Sequence, residues 1–315
     1  MLVHVLGCTA GGGFPQWNCN CNNCSGVRDG RPSLKARTQS SIAISSDGKV
    51  WVLINASPDI RAQIEAFPAL RPRRAIRDSA IAAIVLIDGQ LEHCAGLLSL
   101  YQGGGLSFGE RMIGPTLNVY CTDALGEDLT TTLAVFPLLE RYCGVNRHRI
   151  DIDTGAQWLI PQAEGLRFLA VPVKSRAPIY SPHRENPHRG DTIALWVEDL
   201  RSRRALLYAG ALGDVDPEVL RRMEQADCVF VDGTFWSDQE TAALGISPVL
   251  SHQRGHLPVA GPGGMIEVLR PLKRPRKILT HVNNTNPILD ETSPERAQLA
   301  LEGVEVAYDG MEFEL

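Results

Sequence analysis

The sequence predicts an α/β fold, a single domain whose two strand-rich halves carry helices on their outer faces. Three observations predict it. Ile81-Ala-Ala-Ile-Val-Leu-Ile87 is an apolar run without alternation, the pattern of a strand covered on both faces. In the second half, short strand patterns alternate with helical ones. No low-complexity linker or internal repeat divides the 315 residues, a length that one large α/β domain can fill.

The elements follow in order. Leu2 to Gly7, Ser41 to Ser45 and Val50 to Ile54 read as short strands, and Pro58 to Phe67 as a helix with Ser57 as its N-cap. Ile81 to Ile87 is the central buried strand, and a further helix begins near Gly96. After a strand over Leu117 to Tyr120, a helix is expected from about Asp123 to Tyr142, because Leu125, Leu129, Leu133, Phe136 and Leu139 share one face. Leu166 to Val173, Thr192 to Glu198, Ala205 to Tyr208 and Cys228 to Val231 read as strands. Pro217 to Gln225 and Gly264 to Leu269 read as helices, and Lys277 to Thr280 as the last core strand.

Composition narrows the function. Hydrophobic residues at 44% and charged residues at 21% suit a soluble enzyme, and 29 glycines with 20 prolines imply many shaped loops. A net charge of −5 argues against a nucleic-acid partner; the basic runs Arg71 to Arg74 and Arg270 to Lys277 read as solvated faces. The start lacks a basic segment followed by a long apolar one, and no uninterrupted apolar stretch is long enough to span a bilayer, so a cytoplasmic protein without membrane insertion is expected. Of eight cysteines, Cys8, Cys94, Cys121, Cys143 and Cys228 are scattered and fit buried reduced thiols.

The other three, Cys19, Cys21 and Cys24, crowd into a polar loop at about 17–26. Thiolates this close can face one tetrahedral ion, so a structural Zn2+ is expected. Its fourth ligand must come from elsewhere: His281, His256, His252 or a group such as Asn284.

Asp88-Gly-Gln-Leu-Glu-His93 begins where the central strand ends. Ligands in open α/β sheets gather at such strand ends, which makes Asp88, Gln90, Glu92 and His93 candidate catalytic residues. His281, in Thr280-His281-Val-Asn-Asn, and His256, in Gly255-His256-Leu-Pro, are the candidate further imidazoles. The loop after Val173 carries Lys174, His183, Arg184 and Arg189, a positive excess suited to an anionic small substrate. Asp214 ends another strand and is a candidate for the same site, with a helix N-cap before Pro217 as its alternative role. The glycine runs 11–13 and 103–105 offer close backbone approach.

The Asp88 to His93 segment resembles an altered HxHxDH signature of the metallo-β-lactamase superfamily. Asp88 and Gln90 stand for the leading histidines and Glu92 for the Asp, while His93 keeps its place. Together with Gly11-Gly-Gly-Phe-Pro-Gln-Trp-Asn-Cys-Asn-Cys-Asn-Asn-Cys24, Lys174-Ser-Arg-Ala-Pro-Ile-Tyr-Ser-Pro-His183, Gly255-His-Leu-Pro and His281-Val-Asn-Asn-Thr-Asn-Pro, it resembles, over nearly the whole chain, the family of B proteins of pyrroloquinoline quinone (PQQ) biosynthesis. The resemblance implies an αββα sandwich, two mixed β-sheets flanked by helices. It also implies a role in making PQQ from a cross-linked Glu-Tyr precursor. One activity it implies is that of an oxidoreductase, a non-haem iron hydroxylase of the tyrosine-derived ring. The other is a soluble carrier assisting transport of PQQ or its precursor toward the periplasm.

Two histidines and one carboxylate are the usual Fe2+ set for such an oxygenase, and His93, His281 or His256, and Glu92 or Asp88 supply it. Hydrolysis, the default of the fold, loses ground with the missing histidines. The partners implied are the precursor or PQQ itself, other proteins of the pathway, and a second copy of the chain.

Overall fold

The computed structural model describes residues 1–103, 105–107, 110–112 and 116–315, with side chains for 1–103 and 116–315. Part of the second glycine run, Gly104, lies outside the described residues. The first half of the chain supplies β1 (Leu2–Gly7), β2 (Ser41–Ser45), β3 (Trp51–Ile54) and β4 (Ile81–Val85). It continues with a short hairpin of β5 (Gly105–Ser107) and β6 (Glu110–Met112), then β7 (Leu117–Cys121) and β8 (Val145–Arg149). The second half supplies β9 (Trp158–Leu159), β10 (Leu166–Pro172), β11 (Ile193–Asp199), β12 (Ala205–Ala209), β13 (Cys228–Asp232), β14 (Arg276–Thr280) and β15 (Val304–Val306). The last strand, β16 (Glu312–Glu314), returns to the first sheet.

Two seven-stranded sheets result, ordered β16-β1-β2-β3-β4-β7-β8 and β15-β14-β13-β12-β11-β10-β9. Each is antiparallel in one half and parallel in the other, with β3, β4, β7 and β8 parallel in the first and β12 to β15 in the second. The reason lies in the side-chain period. In β3, Val52 and Ile54 point to the core between the sheets while Trp51 and Leu53 point outward under helices. In β13, Cys228 and Phe230 face the inter-sheet core, and Val229 and Val231 face the helices on the other side. A strand apolar on both faces must be covered on both. The layers are therefore helix, sheet, sheet, helix, the arrangement expected from the resemblance.

The helices are α1 (Asn22–Arg28), α2 (Ile60–Ala66), α3 (Leu91–Cys94), α4 (Asp123–Glu127), α5 (Val135–Glu140), α6 (Pro217–Gln225), α7 (Glu240–Ala243), α8 (Met265–Leu269) and α9 (Pro294–Leu301). The expected helix from Asp123 to Tyr142 is broken. A π-helical stretch follows α4 over Asp128–Thr132, and Ala134 adopts a left-handed conformation with φ 52° before α5. Thr130 and Thr131 donate their hydroxyls to the carbonyls of Gly126 and Glu127, and a run of three β-branched residues resists a regular helix. The apolar stripe survives the break, since Leu125, Leu129, Phe136 and Leu139 all pack under the first sheet.

Ser57 is not the N-cap of α2; that position falls to Asp59. The Ser57 hydroxyl instead donates to Gln63 and accepts from the Asp59 amide. The helix expected near Gly96 is a 3₁₀ segment over Ala95–Leu100.

Candidate metal and substrate site

The loops at the ends of the parallel strands converge between the two sheets. After Val85 the chain leaves its sheet. Leu86 still donates to Tyr120 at 3.0 Å, but the Ile87 amide bonds the Asn55 side chain, and the Ile87 carbonyl accepts Ile193 N–H from the other sheet at 2.9 Å. The segment after β4 thus crosses from one sheet to the other and delivers Asp88 to the crevice. Asp232 ends β13, and His281 follows β14 with φ 57°. A positive φ at a non-glycine residue costs energy and persists where its surroundings hold it. The turn at Gly255, φ 86°, presents His256.

Asp232, His256 and His281 place ligand atoms within 4.8 Å of one another. Their wiring passes through Thr234. Its hydroxyl donates to Asp232 Oδ1 at 2.6 Å, so its lone pairs accept from His281 Nδ1 at 2.8 Å and from His256 Nδ1 at 3.1 Å. His256 Nδ1 also lies 2.7 Å from Asp232 Oδ2, which takes the Leu212 amide as well. With Nδ1 carrying the proton, His281 Nε2 keeps its lone pair. That atom is buried without a hydrogen-bond partner, and its nearest carboxylate oxygen, Glu92 Oε1, is 3.5 Å away. Burial lowers the basicity of His281, and the neighbouring His93 and His256 add to the effect. A neutral imidazole aimed at a carboxylate-lined cavity suits a divalent cation.

The charges around it agree. Burial alone would raise the Glu92 carboxyl, but the nearby imidazoles of His281 and His93 hold it down to about 2. Burial opposes ionisation of Asp232 too, and His256 and His281 overcome it. Gly11 lets Glu92 approach: a Cβ there would lie 3.1 Å from the carboxyl group.

His93 differs from the other two histidines. Nδ1 is 2.7 Å from Asp88 Oδ1 and Nε2 is 2.9 Å from Ser40 Oγ, so both ring nitrogens are engaged. Its ring stands 5.0 Å from that of His281. The carboxylate expected from Glu92 or Asp88 is therefore joined by Asp232 as the one that completes a trio with two imidazoles.

Asp88, Gln90, Glu92, His93, His256 and His281 all line one cavity of about 240 Å³, and Arg184 reaches it from the loop after β10. The other expected substrate residues lie elsewhere. Lys174 and Asp214 pair with each other at 3.1 Å on the surface, and the α6 N-cap is Asp216. His183 binds Asp191 at 2.8 Å and stacks on His188, while Arg189 pairs with Asp153 in solvent.

Asp232, Thr234 and Arg254 were not anticipated. Cys228-Val-Phe-Val-Asp232-Gly repeats the pattern of Ile81 to Gly89, an apolar run ending on Asp-Gly, and that signal pointed to Asp232.

Cys19, Cys21 and Cys24 bring their sulfurs within 4.8 Å of one another. The Asn284 amide lies 3.1 Å from Cys19 Sγ and 3.3 Å from Cys24 Sγ. His256 and His281 belong to the other cluster, and His252 is paired with Asp238. Burial would raise the Cys19 thiol, but donors from Cys21 and Asn284 outweigh it.

Comparison with known proteins agrees with this fold. Residues 50–282 match the Beta-lactamase superfamily domain. The chain is 51% identical over 315 residues to the coenzyme PQQ synthesis protein B of Methylococcus capsulatus and 52% identical over 315 residues to that of Pseudomonas aeruginosa, covering 100% of each chain in both cases. The crystal structure of Zn(2+)-bound PqqB from Methylobacterium extorquens superposes with a TM-score of 0.90 at 32% identity, covering 100% of both chains. A diphosphatase of the PhnP family, with a TM-score of 0.67 at 20% identity over 100% of this chain and 96% of that one, shares the fold. The chain belongs to the coenzyme PQQ synthesis protein B family, within the β-lactamase superfamily.

Proposed function

We propose that the protein acts in PQQ biosynthesis by oxygen-dependent hydroxylation of the tyrosine-derived ring of a cross-linked Glu-Tyr precursor, with Fe2+ as its working metal. The observation that carries the reading is the donor set, one carboxylate and two imidazoles beside a cavity that Arg184 and Arg254 also line. Asp232, His256 and His281 would hold the ion, with Glu92 and His93 beside them. Iron there would supply the activation of dioxygen, and such a set leaves positions open for it.

The chain's own groups do the rest. Thr234 fixes the tautomer and direction of both imidazoles, and Arg184 holds a substrate carboxylate. Ala10, Ala211 and Phe235 present apolar surface that keeps bulk water from the ring. His93, held by Asp88 and Ser40, locks the turn that carries Glu92. Lys174, His183, Arg189 and Asp214 brace the Arg184 loop through their ion pairs. A dinuclear hydrolytic site would want imidazoles where Asp88 and Gln90 stand. At the cysteine cluster, Asn284 closes a structural Zn2+ site with its amide oxygen, once the side chain is turned to exchange O and N.

The arginines also favour a second reading, a carrier that binds the polyanionic product without turnover. No described helix is long and apolar enough to cross a membrane. The deciding experiment supplies Fe2+-loaded protein with the processed Glu-Tyr precursor and oxygen. Ring-hydroxylated product is expected. Tight binding of PQQ with no oxygenated product would establish the carrier instead, and turnover of simple phosphodiesters would revive hydrolysis.

A further inference from the structure

The cavity at Asp232, His256 and His281 is small, about 240 Å³ against the roughly 300–1,000 Å³ of ordinary ligand pockets. It does not end there. A second chamber of about 540 Å³ adjoins it, and Phe235, Arg254 and Asn283 line both. The far wall of the second chamber is the cysteine loop, with the amides of Asn18 and Asn20, and its rim carries Leu244 and Ile246. No carboxylate lies among the described residues that line it, and Arg254 is the one cationic side chain among them.

Arg254 is half-buried, yet no described carboxylate comes within ion-pair distance of it; the guanidinium stands 6.0 Å from the Phe235 ring. Its Nε donates to the Val249 carbonyl at 3.4 Å, and the guanidinium keeps further donors that a ligand carboxylate can take in paired fashion. Its backbone is fixed in advance. Asp238 accepts from Ser251 Oγ at 2.9 Å and from the His252 amide at 3.0 Å. Gly255 at φ 86° packs so closely that a Cβ would meet Arg176 N at 3.0 Å. Arg184, which also lines the first cavity, donates to the Ala177 carbonyl and likewise has no described carboxylate in ion-pair range.

We infer that the ligand outgrows the metal-ligand cavity: one carboxylate binds Arg184 there, a second binds Arg254 where the chambers meet, and the rest of the ligand extends into the second chamber beside Asn18 and Asn20. The ligand class is an aromatic polycarboxylate, with Arg184 and Arg254 as a two-point clamp. Preorganised arginines bind carboxylates through paired hydrogen bonds and lose little entropy in doing so. The inference rests on the reading of this cavity as a site for carboxylate-bearing aromatic ligands.

The test measures dissociation constants of zinc-replete protein for PQQ, benzene-1,3,5-tricarboxylate and benzoate. Wild type is expected to bind both tricarboxylates far better than benzoate. Arg254→Gln is expected to weaken PQQ by about 10- to 100-fold, Arg254→Lys by less, and the distant surface change Arg201→Gln not at all. Ile246→Glu, exposed on the rim, adds a repelling charge to the second chamber and is expected to weaken PQQ by about tenfold. Unchanged PQQ affinity in Arg254→Gln, or in Ile246→Glu, overturns the inference, as does failure of wild type to bind either tricarboxylate. If PQQ fails to bind wild type while benzene-1,3,5-tricarboxylate binds with dependence on Arg254, the clamp stands and the PQQ reading falls.

Discussion

Thr234 shows how much one side chain can organise. Its single hydroxyl proton goes to Asp232, and that choice makes it an acceptor for both imidazoles. Nearby, Glu240 shows the cost of a buried acid. It receives the Trp236 amide at 2.6 Å and the Thr285 hydroxyl, but burial outweighs these donors and pushes its carboxyl up to about 7. A raised acid stabilises the fold fully below its unfolded value near 4.5, and that stability is lost as pH rises through 7. The shift of about 2.5 units corresponds to roughly 3 kcal/mol. Denaturant unfolding of wild type should therefore weaken by about that amount between pH 4.5 and 8 relative to Glu240→Gln, whose stability lacks this component. Parallel pH profiles for the two proteins would contradict the assignment.

At this scale the sequence was legible where a cavity-lining residue follows a recognisable strand, as with Asp88, Glu92, His93 and His281. It was misleading for Asp214, because a strand-end Asp looks the same whether it enters the crevice or meets Lys174 in solvent.

At the scale of elements, the break between α4 and α5 is the informative departure. Ala134 is exposed and left-handed, a conformation that costs an L-residue about 1–2 kcal/mol. Glycine removes that cost but adds about 0.4–1 kcal/mol of freedom to the unfolded chain. The first effect is larger, so Ala134→Gly should stabilise the protein by about 0.5–1 kcal/mol in urea unfolding. A loss of stability would mean that the Ala134 methyl packs usefully.

The core strands were readable because they are apolar on both faces, and β13 differs from expectation only by the addition of Asp232. The edges were not. In β8, Val145-Asn-Arg-His-Arg149, and in β16, Glu312-Phe-Glu314, polar side chains face solvent and the strands are held by backbone pairing to a neighbour far away in sequence. The helix α9, capped by Ser293 with Pro294 behind it, was not read from the sequence.

For the whole molecule, the four layers do one thing for function: they bring strand ends from both sheets to a single crevice. The first sheet supplies Asp88, Glu92 and His93, and the second supplies Asp232 and His281. The altered signature after β4 leaves the first sheet with one imidazole, His93, and the trio of donors close enough to share a cation lies on the second sheet and the His256 turn. The cysteine cluster is a separate centre whose loop walls the adjoining chamber. We propose two independent metal sites, the first held by Asp232, His256 and His281. The most direct test is metal content per chain after anaerobic loading with Zn2+ and Fe2+, in wild type, Asp232→Asn and Cys21→Ser. The account predicts two ions in wild type, loss of iron with retention of zinc in Asp232→Asn, and the reverse in Cys21→Ser. Retention of both ions in Asp232→Asn would contradict it.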